Sequence, residues 1–262
     1  MEKIAIIGGT GMTSLRNLEI TRREMVPTPY GEPSGPLTHG ILCDVDVVFL
    51  ARHGYGHTIP PHRVNYRANL WALHHVGVRT VIAVNAVGGI SEDMRPSRLV
   101  IPDQIVDYTW GRDNTYFEDG KTGVVHIDFT QPYCEALRQI LLEADQSVGL
   151  DVATSATYAA TQGPRLESAA EIDRLERDGC HVVGMTGMPE AALARELEIC
   201  YASIAVVANW AAGRGEGIIT MDDIEHNLAT GMHKARSLLE QAIPPCARSR
   251  ALACSHKAGQ GA

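Results

Sequence analysis

The chain has 262 residues, 45% of them hydrophobic and 21% charged, with 25 glycines, 13 prolines and no tract dominated by a few residue types. That composition excludes fibrous, collagen-like and largely disordered classes and supplies enough apolar material for a large core. The formal net charge of −8 argues against broad binding to nucleic acid or an anionic membrane, so an anionic ligand must find a local cluster of donors.

In chain order, Met1-Glu2-Lys3 leads straight into Ile4-Ala5-Ile6-Ile7, too short for a signal-peptide core, and no apolar run approaches the ~18 residues that cross a bilayer. A cytoplasmic protein is expected. Short β-branched runs then alternate with longer amphipathic ones, which predicts one α/β domain with a central sheet flanked by helices. The expected strands are Lys3–Ile7, Asp46–Ala51, Thr80–Asn85, Leu99–Ile101, Thr154–Ala160, Val182–Met185 and Ala202–Ala208. The expected helices are Val64–Val76, Pro132–Val148, Ser168–Asp178, Pro189–Leu197 and Met221–Gln241. Thr220 stands as N-cap of the last, with Asp223 at its third position in a carboxylate variant of the capping box. Asp103 to Asp128 reads as one long connection, and connections of that length are usually functional or mobile. Past Pro244-Pro245 the tail carries Arg248, Arg250 and Lys257 but no acid; the domain is expected to span 1–243, with 244–262 frayed or disordered. The six cysteines, Cys43, Cys134, Cys180, Cys200, Cys246 and Cys254, form no C-x-x-C pair and read as reduced, mostly buried thiols.

Several strand ends carry residues suited to chemistry. Gly8-Gly9-Thr10-Gly11 lets backbone N–H groups approach an anion, with the Thr hydroxyl as a further donor. Neither a G-x-G-x-x-G fingerprint nor a P-loop is present, and a tight turn without ligand remains open from this segment alone. Ala51-Arg52-His53-Gly54 ends a buried strand with a guanidinium fork and an imidazole, a pairing suited to an oxyanion. A zinc site from His53, His57 and His62 competes, without the Cys or carboxylate such sites usually add. Val84-Asn85-Ala86-Val87-Gly88-Gly89 supplies a second glycine turn at the carboxyl edge of the sheet. Downstream lie Thr161-Gln162-Gly163-Pro164-Arg165-Leu166-Glu167, Gly184-Met185-Thr186-Gly187-Met188-Pro189-Glu190 and Ala208-Asn209. Glu167, an acceptor, and Asn209, a donor and acceptor, suit the edge of a heterocycle. Each also has an ordinary structural reading, Glu167 at a helix start and Asn209 in a turn.

Taken in order over nearly the whole chain, from GGTG through TPYG at Thr28–Gly31, ARHG, VNYRAN, NAVGG, TQGPRLE and GMTGMPE to the strand ending at Asn209, these segments resemble the trimeric purine nucleoside phosphorylase and methylthioadenosine phosphorylase family. The resemblance implies a single α/β domain with a mixed sheet, assembled as a trimer or a dimer of trimers. It implies cleavage of a purine nucleoside by inorganic phosphate, which is a co-substrate, with no cofactor or metal. It assigns phosphate contacts to Thr10, Arg52, His53, Asn85, Ala86 and Thr186, places Met185 under the ribose and sets Leu166 beside the base, where relatives often carry Phe. Asn85 stands where relatives often have Ser or Thr.

Relatives acting on 6-aminopurines have Asp at the positions of Asn209 and Ala211 and a small hydroxyl residue in place of Glu167. Asn209 can donate to O6 and N7 of a 6-oxopurine and Glu167 can accept from its N1–H, whereas adenine reverses the pattern at position 6 and at N1. A site built for one pattern rejects the other by roughly 10⁴–10⁵-fold. Inosine-cleaving relatives usually place a His near the 5' position. Here the segment from Gly217 to Ile224 has none, and Met221 and Ile224 resemble the residues that hold a methylthio group, although both positions also suit ordinary helix packing. By resemblance His126 reaches that pocket from a neighbouring subunit. The expectation is phosphorolysis of S-methyl-5'-thioinosine, with Asn209 and Glu167 at the base. A general 6-oxopurine nucleoside phosphorylase and a methylthioadenosine phosphorylase are the alternatives within the family; a dinucleotide oxidoreductase and a purine-binding module are those outside it.

Overall fold

Ile4, Ala5, Ile6 and Ile7 are all buried, and alternate residues belong to two different hydrophobic clusters. This is the period-two signature of a strand covered on both faces. The computed structural model describes residues 3–118, 123–216 and 219–249. In it ten strands form one mixed sheet: β1 (Lys3–Gly8), β2 (Glu19–Glu24), β3 (Leu37–Leu42), β4 (Val45–Ala51), β5 (Val78–Gly89), β6 (Leu99–Val100), β7 (Gln104–Asp107), β8 (Thr157–Ala160), β9 (Val182–Gly184) and β10 (Cys200–Trp210). At its centre β4, β1, β5 and β10 run parallel. The β2–β3 hairpin extends the β4 side, and β9, β8 and β7 branch from the far end of β5.

Five α-helices among the described residues cover the sheet: α1 (Tyr66–His75), α2 (Glu135–Val148), α3 (Ala169–Arg177), α4 (Glu190–Glu196) and α5 (Met221–Arg248). Ile4, Ile6, Ile82 and Ile204 pack with Leu137 and Leu141 of α2 and Leu238 and Leu239 of α5. Ala5, Ile7, Val81 and Val207 pack with Leu70 and Leu73 of α1 and Leu193 of α4. A smaller cluster seats Ile172 and Leu175 of α3 on Ala159 and Val183. Ser168 and Glu171 close a reciprocal capping box at α3, and the Thr220 hydroxyl oxygen accepts from the Asp223 N–H at 3.2 Å, the cap expected at α5.

The expected single α/β domain with a mixed, helix-flanked sheet is the observed fold, with four differences in detail. The β2–β3 hairpin gives little apolar signal because β2 is an exposed, charged edge strand, the composition that protects edges from further pairing. Within the long connection, Gln104–Asp107 forms β7. NAVGG is not a turn, since β5 continues through Gly89, pairing Gly88 and Gly89 with β9 on one side and β10 on the other. A Cβ at Gly89 would lie 1.8 Å from the Met94 carbonyl oxygen, so glycine serves a close approach. Finally, α5 runs through Pro244 and Pro245 to Arg248. Two interior prolines cost about 3 kcal/mol or more each, but Ile243 and Cys246 on either side are buried in the main core and hold the last turn in place. Residues 250–262 lie outside the described residues. The expectation of reduced cysteines fails at Cys200, which is disulfide-bonded; Cys43, Cys180 and Cys246 remain thiols.

Candidate active site

The ladder between β1 and β5 ends at the pair Ile7 and Ala83, and the ladder between β5 and β9 begins only at Gly88 and Val183. Along this edge Val84 to Val87 pair with neither strand. A sheet that parts in this way opens a crevice at its strand ends, the ordinary place for a ligand in an open α/β sheet. A cleft of about 620 Å³ fills the notch, lined among others by Thr10, Arg52, His53, Ala86, Thr186 and Asn209.

One end of the cleft is built to hold an anion. Arg52 is fully buried, and its Nε and Nη2 donate to the two carboxylate oxygens of Glu190 at 2.7 and 2.8 Å. Nη1 donates to the Val84 carbonyl, one of the notch residues, at 3.0 Å. Burial works against the charge, but the Glu190 carboxylate and its hydrogen bonds outweigh it and hold the guanidinium protonated. Three of the five N–H donors are thereby committed and two remain. Gly9 permits this packing, for a Cβ there would meet the Val84 oxygen at 2.5 Å and Arg52 Nη1 at 2.8 Å.

His53 sits beside Arg52 with Nδ1 2.7 Å from the Ile59 carbonyl oxygen. A carbonyl can only accept, so Nδ1 carries the proton. Burial first, and the neighbouring guanidinium second, push the imidazole down to about 4, which leaves the ring neutral near pH 7 with Nε2 as an acceptor. Thr186 completes this end. Asn85 Nδ2 donates to its hydroxyl oxygen at 2.7 Å, while Asn85 Oδ1 accepts from the Ser203 hydroxyl at 2.8 Å. The Thr186 oxygen is thus occupied as acceptor and its proton is left to donate outward.

The other end can read a planar heterocycle. The Thr161 hydroxyl donates to Glu167 Oε1 at 2.6 Å, leaving Oε2 to accept. Asn209 Nδ2 donates to the Trp210 carbonyl at 2.7 Å, which leaves one amide N–H and the amide oxygen. Met185, Leu166, Ile219, Met221 and Ile224 add apolar lining to the same cleft.

Over residues 3–244 the sequence matches the family described as the Phosphorylase superfamily. The chain belongs to this superfamily. A probable S-methyl-5'-thioinosine phosphorylase of Pseudomonas syringae pv. tomato is 52% identical to this phosphorylase over 243 residues, covering 93% of this chain and 99% of the relative. The 6-oxopurine nucleoside phosphorylase of Pyrococcus furiosus is 44% identical over 259 residues, 97% of each chain. Among solved structures, the methylthioadenosine phosphorylase of Schistosoma mansoni in complex with adenine superposes with a TM-score of 0.91 at 32% identity, covering 96% of this chain and 95% of that one.

Of the residues singled out from the sequence, the cleft of this phosphorylase brings together Thr10, Arg52, His53, Ala86, Leu166, Glu167, Met185, Thr186, Asn209, Met221 and Ile224. Three others stand apart. Asn85 is buried behind Thr186 and spends its amide there, so its side chain does not line the cleft. Ala211 packs in the small core under α3, and its neighbour Ala212 lines the cleft instead. His126 is exposed outside the cleft. Gly217 and Ile218 lie outside the described residues. The three histidines do not form a metal cluster; none of three or more potential ligands occurs among the described residues. Nor is any described helix long and apolar enough to cross a membrane. Glu190 and Thr161 join the site from within the GMTGMPE and TQGPRLE motifs, although neither is singled out by the sequence alone. The signal for Glu190 was available, since an arginine buried at a strand end requires a carboxylate partner.

Proposed function

We propose that the chain catalyses phosphorolysis of S-methyl-5'-thioinosine to hypoxanthine and 5-methylthioribose 1-phosphate. The observation that carries this reading is Glu167, held by Thr161 through one oxygen and left with the other as an acceptor. N1–H of a 6-oxopurine offers a donor there, whereas N1 of adenine offers only a lone pair, and leaving buried polar groups unpaired is what makes such discrimination large. The free N–H of Asn209 meets O6 or N7. Leu166 and Met185 border base and ribose, and Met221 and Ile224 give the 5' substituent an apolar contact that favours S-methyl over hydroxyl.

Phosphate lies at the opposite end on the two remaining Arg52 donors, the Thr186 and Thr10 hydroxyls and the backbone at Ala86. The neutral His53 accepts a hydrogen bond from the hydroxyl of hydrogen phosphate through Nε2. As the bond between N9 and C1' lengthens, its electron pair passes into the purine, where Asn209 stabilises the developing charge. A phosphate oxygen bonds to C1' from the other face, and the proton that phosphate brought balances the released base. Holding phosphate and nucleoside in line removes an entropic barrier that reaches roughly 7–11 kcal/mol in well-oriented systems. His126 completes the 5' pocket of a neighbouring subunit in a homotrimer, and no cofactor is required beside the co-substrate phosphate.

The names of the relatives support two readings of the sugar end, and the exposure of Met221, 64% in this chain, favours keeping the second: a general 6-oxopurine nucleoside phosphorylase that accepts inosine. Phosphate-dependent base release from methylthioinosine, inosine and methylthioadenosine separates them. Methylthioinosine is expected to react fastest; inosine reacting as fast supports the general enzyme, and methylthioadenosine reacting fastest overturns the base assignment. Asn209→Ala should lower kcat by about 10²–10³-fold if the amide is a preorganised transition-state donor. A wild-type kcat removes it from that role.

A further inference from the structure

Arg112 lies in the connection between β7 and α2, outside the residues that line the cleft, and it has no charged partner among its hydrogen bonds. Its guanidinium instead bonds to the backbone of two separate turns. Nη1 donates to the carbonyls of Met185, at 2.9 Å, and Met188. Nη2 donates to those of Thr161 and Gln162, at 3.3 and 2.9 Å. Nε donates to the Gln162 side-chain oxygen at 3.1 Å, which also accepts from the Trp110 N–H. All five N–H donors of the guanidinium are spent in this way. Beneath it the Tyr66 ring lies 5.5 Å away.

The first of these turns, after β9, carries Met185 and Thr186. The second, after β8, carries Leu166 and Glu167, with Thr161 itself orienting the Glu167 carboxylate. β8 and β9 are adjacent, and their ladder ends at the pair Ala160 and Gly184; just beyond it the Thr161 N–H still donates to the Gly184 carbonyl at 2.8 Å, and Gly163 lies against Met185. Arg112 ties the same two turns together from the outside. We propose that Arg112 is a positioning residue, a planar clamp that fixes the distance between the turn holding the base and the turn holding sugar and phosphate. A lysine cannot substitute, because one ammonium presents its donors from a single point and cannot span two turns. A misplacement of about 1 Å far from the chemistry can cost 10²-fold, which sets the scale of the effect.

The proposal rests on the assignment of the cleft as the active site, and its test is referred to whichever nucleoside the wild-type enzyme cleaves, so that a wrong substrate would not be mistaken for a wrong clamp. Arg112→Met and Arg112→Lys are compared with Arg67→Met. Arg67 anchors the same connection from α1, through Asp113 at 2.6 Å and through Glu118, without touching either turn. Arg112→Met should lose about 10–100-fold in kcat/KM, with KM raised for nucleoside and for phosphate alike. Arg112→Lys should recover at most one of the two KM values. Arg67→Met should lower Tm while keeping both. Should Arg112→Met fail to fold, Arg112→Lys is judged by the same criterion. Wild-type KM for both substrates in a folded Arg112 variant overturns the clamp, as does a loss of kcat/KM in Arg67→Met that matches the Arg112 variants at equal loss of Tm.

Discussion

Replacing Glu190 by Gln would expose what the buried ion pair does. Both Arg52 and Glu190 are inaccessible to solvent, and the carboxylate takes two guanidinium bonds and the Tyr201 hydroxyl at 2.8 Å. An amide retains one acceptor oxygen and turns an N–H toward a group that can only donate. Arg52 is then left as an uncompensated buried cation, a loss that costs about 3–5 kcal/mol. At ~2–4 °C per kcal/mol for a chain of this size, Tm should fall by about 6–20 °C. Phosphate reverses part of this, because a dianion on the two remaining Arg52 donors replaces the missing charge. In the wild type, phosphate at about 100 times its Kd stabilises by ~2.7 kcal/mol through binding only the folded state; in Glu190→Gln the rise in Tm at the same concentration should be larger. Thermal unfolding followed with and without phosphate gives both numbers. An unchanged Tm in phosphate-free buffer would show that the pair contributes no net stability. A phosphate response no larger than that of the wild type would separate Arg52 from the anion site.

Two further outcomes follow from the cleft. His53, held near 4 when folded against an ordinary value near 6.5, refuses a proton that the unfolded chain accepts. Stability should therefore fall as pH drops from about 6.5 to about 4, by up to ~3 kcal/mol, and be unaffected by this group above that window. Urea unfolding across that range should show the slope in the wild type and a shallower one in His53→Gln; equal slopes would refute the attribution. Met221→Ser should reduce the preference for methylthioinosine over inosine, measured as the ratio of kcat/KM values, by about 10-fold or more, the scale of apolar discrimination in a pocket. An unchanged ratio would leave Met221 as ordinary rim.

What could be read from the sequence was what repeats or stands at a strand end. The central strands announced themselves because both of their faces are buried, so Ile4 to Ile7 and Val81 to Val84 are unbroken apolar runs. The motifs at their ends delivered most of the cleft lining for the same reason, since a parallel sheet collects its strand ends on one side. The hairpin β2–β3 left no such trace, because an edge strand is selected for charge rather than apolar content. The course of β5 through Gly88 and Gly89 was hidden by a rule that is usually sound, glycine as turn, which fails where a backbone approaches closely. Asn85 shows a different limit. Its place in the motif pointed to the cleft, but only the pairing with Ser203 and Thr186 reveals that its amide faces a hydroxyl and aims it.

With phosphate at the anion end as proposed, the charge there lets an acidic chain hold it without gripping it too tightly. Glu190 cancels Arg52, and His53 is neutral, so the subsite offers directed N–H and O–H groups rather than a net positive field. Hydrogen bonds of this kind are specific for oxygen geometry, while an uncompensated cation buried at 0% exposure would bind any small anion strongly. A transferase that must release a sugar phosphate at every turnover gains from the first arrangement, because interactions equally strong for substrate, transition state and product lower KM without raising kcat. Neutrality is supplied by Glu190, direction by Asn85 through Thr186, and the spacing of this end from the base by Arg112. None of the three need touch the substrate, and each occupies a position where a change of one functional group alters the geometry of those that do.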